Sequence, residues 1–261
     1  MGSERVRARV FGEVAEEFER VRPGYPAALI ADVLAHAGGA GSRALEVGAG
    51  TGKATAAFAA RGLRVTALEP SPEMAAVGRR LVPAAEWVVS GIEEFSSPER
   101  FDLVYAAQSW HWVDPERGFA RVAELLRPGG LLALFWNRAS DASGELRRAI
   151  DAAYERMAPE LAGGGSGGRG IDHAAAVRAS GAFGEVERRE YAWSDRRSAS
   201  SYVRLLGTHS NHRMLPADRR AALQEAVGRA IEAHGGTIEI AYATELYLAR
   251  PLSGAGERPA G

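Results

Sequence analysis

The side chains able to do chemistry fall into three places. Glu46 and Glu69 flank a glycine cluster, Gly48-Ala49-Gly50-Thr51-Gly52. His111 sits between two tryptophans in Gln108-Ser109-Trp110-His111-Trp112-Val113-Asp114. His209 and His212 lie in a polar run from Gly207 to Pro216. An imidazole between aromatic rings has three readings: a general base, an orienting donor, or a core histidine bonded to backbone. His209 and His212 are three apart, as two metal ligands on a helix would be. No Asp, Glu or Cys inside that segment completes a set, although Asp218 is near, so no metal is expected. The run reads instead as a polar patch facing a substrate, or as a solvated or structural turn. The chain has no cysteine, which removes thiolate catalysis and disulfides alike.

The elements that must position these groups are clearest between Arg43 and Pro70. Ala44 to Val47 is a short apolar strand, Lys53 to Arg61 a helix, and Leu63 to Leu68 a second strand ending on Glu69. Glycines let the backbone turn tightly and approach a ligand closely. The helix after them presents unpaired N–H groups. An acid at the tip of the second strand can take both hydroxyls of a ribose. The dinucleotide fingerprint wants G-x-G-x-x-G, but Lys53 stands at its third glycine and Glu46 would repel a pyrophosphate. The pattern therefore predicts an adenosine-containing cofactor without a pyrophosphate. Removing the Glu69 carboxylate is expected to weaken cofactor binding with little effect on folding.

At 261 residues the chain is long enough for one domain with a cap, residues 1–261 being read as a single unit. Its 32 basic and 33 acidic residues nearly cancel, which argues against a nonspecific nucleic-acid partner. No apolar run has membrane-spanning length and the first residues lack a signal-peptide core, so a cytoplasmic protein without membrane contact is expected.

Further along, Phe11 to Tyr25 has helical apolar spacing and is read as a packed helix or a lid, the lid segment being residues 1–27. Pro26 to Ala37 is a helix. Ser71-Pro72 and Asp114-Pro115 are helix starts, a polar cap followed by proline at the first helical position. Glu86 to Val89, Phe101 to Ala106 and Leu131 to Trp136 are further strands, the last after the sharp stop Arg127-Pro128-Gly129-Gly130. Beyond Asn137 the alternation loosens. Helices are predicted over 145–157, 173–180 and 219–233, and strands over 186–193 and 237–249. The glycine-rich 162–170 reads as a flexible loop, and 254–261 as a disordered tail.

These motifs resemble those of class I S-adenosylmethionine-dependent methyltransferases. Glu46-Val47-Gly48-Ala49-Gly50-Thr51-Gly52 is similar to that family's first motif, Glu69 to its ribose-binding acid, and LLRPGG to its turn before the fifth strand. Phe11, Phe18, Arg22, Pro23, Tyr25 and Pro26 resemble the F-x-x-x-A-x-x-Y…R-P-x-Y-P opening of a bacterial small-molecule subgroup that includes trans-aconitate methyltransferases. Phe18 stands where that pattern has tyrosine. QSWHWVD resembles its Q-A-x-H-W, and Thr208, Ser210, Arg213, Leu215 and Pro216 its T-x-S-x-x-R-x-L-P.

The resemblance implies an α/β fold: a seven-stranded Rossmann-like sheet, helices on both faces, and the last strand antiparallel at the sheet's end. A mostly helical cap would come from residues 138–180 and 195–235. It implies S-adenosyl-L-methionine as cofactor and S-adenosyl-L-homocysteine as product. Tyr25, Glu46, Gly48, Gly50, Gly52, Glu69, Pro70, Gly91, Ile92 and Gln108 would hold the cofactor, although Ile92 also reads as core. Arg22, Trp110, His212 and Arg213 would meet the substrate, and His111 or His209 would take a proton from it. The expected partner is a small-molecule acceptor, with the protein a monomer or homodimer. A nicotinamide-dependent oxidoreductase and a cofactor-binding scaffold without turnover are the competing readings.

Overall fold

The structure is a computed structural model that describes residues 15–139, 144–162 and 172–252. Residues 11–14 of the first predicted helix, nearly all of the glycine-rich loop and the tail from 254 lie outside the described residues. The elements run α1 (Ala15–Val21), α2 (Ala27–Ala37), β1 (Arg43–Val47), α3 (Lys53–Ala59), β2 (Arg64–Leu68), α4 (Pro72–Leu81), β3 (Glu86–Val88) and β4 (Phe101–Ala107). After a 3-10 turn at Trp110–Trp112 come α5 (Pro115–Leu125), β5 (Leu126–Ala139), α6 (Glu145–Met157), α7 (His173–Ala179) and β6 (Phe183–Ser198). The chain continues through α8 (Ala199–Gly207), α9 (Ser210–Arg213), α10 (Ala217–Ala233) and β7 (Thr237–Pro251).

Seven strands form one mixed sheet in the order β3-β2-β1-β4-β5-β7-β6. The first five in that order are parallel, with Val47 level with Leu68 and Leu45 level with Val104. β7 is antiparallel to both its neighbours. Its Arg250 bonds Gly129 at the start of β5 while Thr244 bonds Asn137 near that strand's end. Leu252 N reaches Ala182 O before β6, and Ala199 N after β6 reaches Gly236 O. The last strand is antiparallel as expected, but it is not at the sheet's end. β6 lies outside it.

Side-chain alternation explains why the parallel strands are apolar throughout. Leu103, Tyr105, Leu131, Ala133 and Phe135 enter one core with Leu29, Ile30 and Val33 of α2 and Phe58 of α3. Val104, Ala106, Leu132, Leu134 and Trp136 enter another with Phe119 and Val122 of α5 and Val177 of α7. A strand covered on both faces has no solvent side on which to place polar residues. Each fully buried Leu, Val or Phe is worth about 1.5–3 kcal/mol of transfer free energy.

Caps start the helices where the sequence places them. Ser71 accepts from Met74 N at 3.3 Å, and Asp114 accepts from Glu116 N at 3.0 Å and Arg117 N at 3.2 Å. β5 is longer than predicted because Arg127-Pro128-Gly129-Gly130 is a bulge inside the ladder, with Phe101 level with Leu126 and Leu103 with Leu131. β6 likewise extends beyond its predicted bounds, from Phe183 to Ser198.

The chain divides into two compact units. Among the described residues, the larger holds 24–137, 172–191 and 244–252, and the smaller holds 15–23, 138–139, 144–162 and 192–243. The smaller unit has its own core, in which Val21, Ile150, Leu205, Leu206, Leu223, Val227 and Ile231 meet Ile238 and Ile240.

Candidate functional site

In the larger unit the glycine turn follows β1 at the carboxyl ends of the parallel strands. Gly48, Gly50 and Gly52 all have positive φ, at 69°, 61° and 95°. A Cβ on Gly48 would stand 2.6 Å from Cβ of Ser109, whereas one on Gly50 would meet nothing within 4 Å. The turn is thus pressed against the β4 connection at Gly48 and open at Gly50, where another molecule can approach the backbone.

Glu69 faces this turn. Its Oε2 accepts from Gly50 N at 2.7 Å and its Oε1 from Ser71 N at 2.9 Å. Burial raises its carboxyl above the usual range, opposed by those two backbone N–H groups. Two bonds leave a carboxylate with acceptor capacity for two hydroxyls, since it offers about four lone-pair sites. A ribose therefore fits the residues present. The two N–H bonds also correct the expectation that Glu69 is dispensable for folding, because the carboxylate fastens the glycine turn to β2. Pro70 follows it, exposed.

Glu46 does not point to the open turn. It is 1% exposed, and its Oε2 accepts from Thr55 Oγ1 at 2.5 Å and Tyr105 Oη at 2.8 Å. Burial pushes its carboxyl up to about 7, against the two hydroxyl donors, with the Glu69 charge raising it further. Thr55 and Tyr105 are partners that sequence reasoning missed; the hydroxyls at 9 and 59 residues' distance gave no local signal.

Gln108, directly after β4, is the one non-glycine with positive φ (63°) among the described residues. Its N donates to Phe135 O at 2.9 Å and its Nε2 to Asn137 O at 3.4 Å. The left-handed residue turns the chain so that Ser109 Oγ donates to Val47 O. The following residues form a 3-10 turn rather than an open loop. Trp110 is 4% exposed and packs on Phe119 at 4.8 Å, so this ring belongs to the core. Trp112 is 41% exposed and lies 4.7 Å from the His111 ring. His111 reaches the surface, and desolvation holds its imidazole below the usual range. Ile92 is fully buried beside Leu68 and Val104, while Gly91 is half-buried before it. Tyr25 sets its ring edge against Phe135 at 4.9 Å.

The smaller unit gathers Arg22, His209, His212 and Arg213. Arg22 donates Nε to Thr208 Oγ1 and Nη2 to Thr208 O, both at 3.0 Å, with its guanidinium 4.8 Å above Phe18. The phenyl group standing in place of tyrosine is thus a cation–π platform. The tautomer of His212 follows from its partners. Asn211 Oδ1 accepts from His212 N at 3.0 Å, so the same oxygen must accept from Nδ1 at 3.0 Å, leaving Nε2 to accept from Tyr154 Oη at 2.8 Å. Both ring nitrogens of His212 are spent within the fold. Burial and Arg22 push its imidazole down to about 4, and burial holds that of His209 well below the usual range. The polar run is therefore a partly buried structural turn through α9, in which Asn211 and His212 bond each other and Thr208 takes Arg22. Arg213 is half-buried at the end of α9. Among the described residues no group of His, Asp or Glu is arranged to hold a metal, and no helix is long and apolar enough to cross a membrane.

Comparison with known proteins agrees with this geometry. Residues 45–134 match the family described as Methyltransferase domain. An uncharacterized methyltransferase of Mycobacterium tuberculosis is 44% identical over 138 residues, 52% of this chain and 56% of that protein. The trans-aconitate 2-methyltransferase of Paracidovorax citrulli is 36% identical over 123 residues, 45% of each chain. The chain thus spans about half the length of these curated relatives. A solved methyltransferase structure from Anaeromyxobacter dehalogenans shares the fold, with a TM-score of 0.65 at 24% identity over 88% of this chain and 97% of that one. Residues 45–134, which carry the glycine turn and the strand-tip acid, are thus similar to a methyltransferase domain, and the chain as a whole shares its fold with that solved structure.

Proposed function

We propose that the chain transfers the methyl group of S-adenosylmethionine to a small molecule. The observation that carries this reading is Glu69, placed at the tip of β2 with acceptor capacity beside the open backbone of Gly50. Glu69 takes the ribose hydroxyls, Gly48 to Gly52 let the cofactor lie close, and Pro70, Gly91 and Ile92 border its base. Tyr25 and Gln108 attend its methionine end, and Glu46 supports the turn from beneath. Bound there, the cofactor supplies an electrophilic sulfonium methyl group and leaves as S-adenosylhomocysteine. The protein's own work is alignment and exclusion of water, which needs neither a triad nor a carboxylate pair.

A hydroxyl, amine or activated-carbon acceptor must lose a proton. His111, surface-reaching and unprotonated at neutral pH, is the first candidate base, with His209 the second. A carboxylate acceptor needs no base, and Arg22 and Arg213 then supply the cationic contacts. The likeness to a trans-aconitate methyltransferase favours a small carboxylic acid or a natural product as acceptor, and the near-balanced charge favours a small molecule over nucleic acid. Trp110, seated in the core, shapes the acceptor side through the turn it anchors.

Calorimetric titration with S-adenosylmethionine, S-adenosylhomocysteine and NADH tests the reading. Selective binding of the two sulfur nucleosides, followed by methyl transfer to a member of a carboxylic-acid panel, is the expected result. Binding of NADH alone overturns it.

A further inference from the structure

Asn137, two residues before the end of β5, has a buried side chain, 8% exposed, that bonds in two directions. Its Nδ2 donates to Gly24 O at 2.9 Å and its Oδ1 accepts from the fully buried Thr244 Oγ1 at 2.7 Å. A carbonyl oxygen only accepts, so the amide orientation is fixed: nitrogen toward Gly24, oxygen toward Thr244. Gly24, Asn137 and Thr244 have a second property in common. Each is the residue of the larger unit at which the chain crosses to the smaller one, at 23/24, 137/138 and 243/244. One side chain therefore bonds to the residues at two further such boundaries from a third.

The neighbouring contact gives this knot a functional direction. Phe135 lies two residues before Asn137 and so shares its face of the strand. The Tyr25 ring packs edge-on against Phe135 while the Gly24 carbonyl is held by Asn137. The dipeptide Gly24-Tyr25 is fastened at two places to one face of β5, by a hydrogen bond and by a ring.

We infer that Asn137 is a positioning residue that presents Tyr25 to the cofactor, with Thr244 holding its amide in the required orientation. The inference rests on the methyltransferase reading for its ligand, but not for the attachment itself. Asn137→Ala removes the donor to Gly24. Asn137→Asp places an acceptor against a carbonyl, which is worse. Thr244→Ser keeps the hydroxyl that orients the amide.

Two measurements on the full chain test this. Hydrogen exchange of peptides covering residues 22–28 reports the attachment, and titration with S-adenosylhomocysteine reports its consequence. In Asn137→Ala and Asn137→Asp, exchange of 22–28 rises about tenfold or more, as expected for loss of a buried hydrogen bond, while β1 is unchanged. Binding weakens about tenfold, and Asn137→Ala adds nothing to the loss already caused by Tyr25→Ala. Thr244→Ser keeps wild-type exchange over 22–28, whereas Thr244→Val raises it and serves if the Asn137 variants do not fold. Unchanged exchange over 22–28 overturns the attachment. A binding loss fully additive with that of Tyr25→Ala overturns the positioning role. If the wild type binds no S-adenosylhomocysteine, the methyltransferase reading fails and the presenting of Tyr25 with it, while exchange still judges the attachment.

Discussion

Gly48 and Ser109 are in contact at the tips of β1 and β4, where Ser109 Oγ donates to the carbonyl of Val47 and a Cβ on Gly48 would lie 2.6 Å from that of Ser109. The glycine turn and the segment carrying His111 are therefore one packed object. Gly48→Ala meets two penalties, a positive φ costing about 1–2 kcal/mol and an overpacked contact costing about 1–3 kcal/mol. Denaturant titration should show their sum, and Ser109→Gly in the same chain should recover only the contact part. No recovery would mean that the backbone angle alone sets the cost.

Glu69→Ala removes the ribose acceptor and also two backbone bonds. We expect S-adenosylhomocysteine affinity to fall at least about tenfold, together with a stability loss of about 1–3 kcal/mol from the N–H groups of Gly50 and Ser71. Calorimetry and thermal melting check the two effects separately. Unchanged affinity would remove Glu69 from the cofactor site.

Glu46 predicts a pH effect of unusual sign for an acid. Its folded pKa, about 7, lies above the ordinary value of 4.5, so the folded state holds a proton that the unfolded chain has lost between those pH values. Stability on this account falls as pH rises from 4.5 to 7, by roughly 3 kcal/mol, and is level beyond. Glu46→Gln stays neutral throughout. Its stability relative to wild type should climb across that window in urea titrations at several pH values, and a constant difference would show Glu46 to be ionised in the fold at all of them.

His212 acts in the opposite direction. Its folded pKa, about 4, lies below the ordinary 6.5, so the unfolded chain binds the proton first as pH falls. Stability on this account is complete above 6.5 and is lost toward 4, by roughly 3 kcal/mol, with His209 shifted the same way. His212→Gln should lose less stability than wild type between pH 7 and 4.5, at the expense of a weaker bond to Tyr154. Equal losses would place the acid sensitivity elsewhere.

His111→Ala should lower turnover by about 10²-fold or more while leaving S-adenosylhomocysteine affinity within a few-fold, the signature of a proton acceptor. Steady-state kinetics with the identified acceptor checks this. A rate equal to wild type would make His111 a packing partner of Trp112.

The parts legible in the sequence are those whose cause is local. The turn at Gly48 to Gly52, the acid at Glu69 and the caps Ser71 and Asp114 depend on neighbours a few residues away, and all were readable. Partners reached through folding were not. Glu46 looked like a ligand-facing acid because Tyr105, which covers it, is 59 residues distant. Nothing near Asn137 announces Gly24 or Thr244, 113 and 107 residues away. Alternation marks Trp110 and Trp112 equally, since both are large and aromatic, and only the 3-10 turn decides that the first is buried. The slot taken by β7 is likewise a matter of strand order, which hydrophobic pattern does not encode.

That slot has a consequence for how the chain is made. β7, the last of the seven sheet strands to be synthesised, does not add to a finished sheet. It inserts between β5 and β6, carrying Leu246 and Leu248 into the core shared with Leu131 and Phe135. Until then one side of β5 has no strand to pair with. The partners Asn137 and Thr244 are 107 residues apart, so at about 5–20 residues per second the nascent β5 waits on the order of 5–20 seconds as an unpaired apolar edge. Such an edge invites pairing with other chains, which makes this interval one in which the unfinished chain is exposed to aggregation.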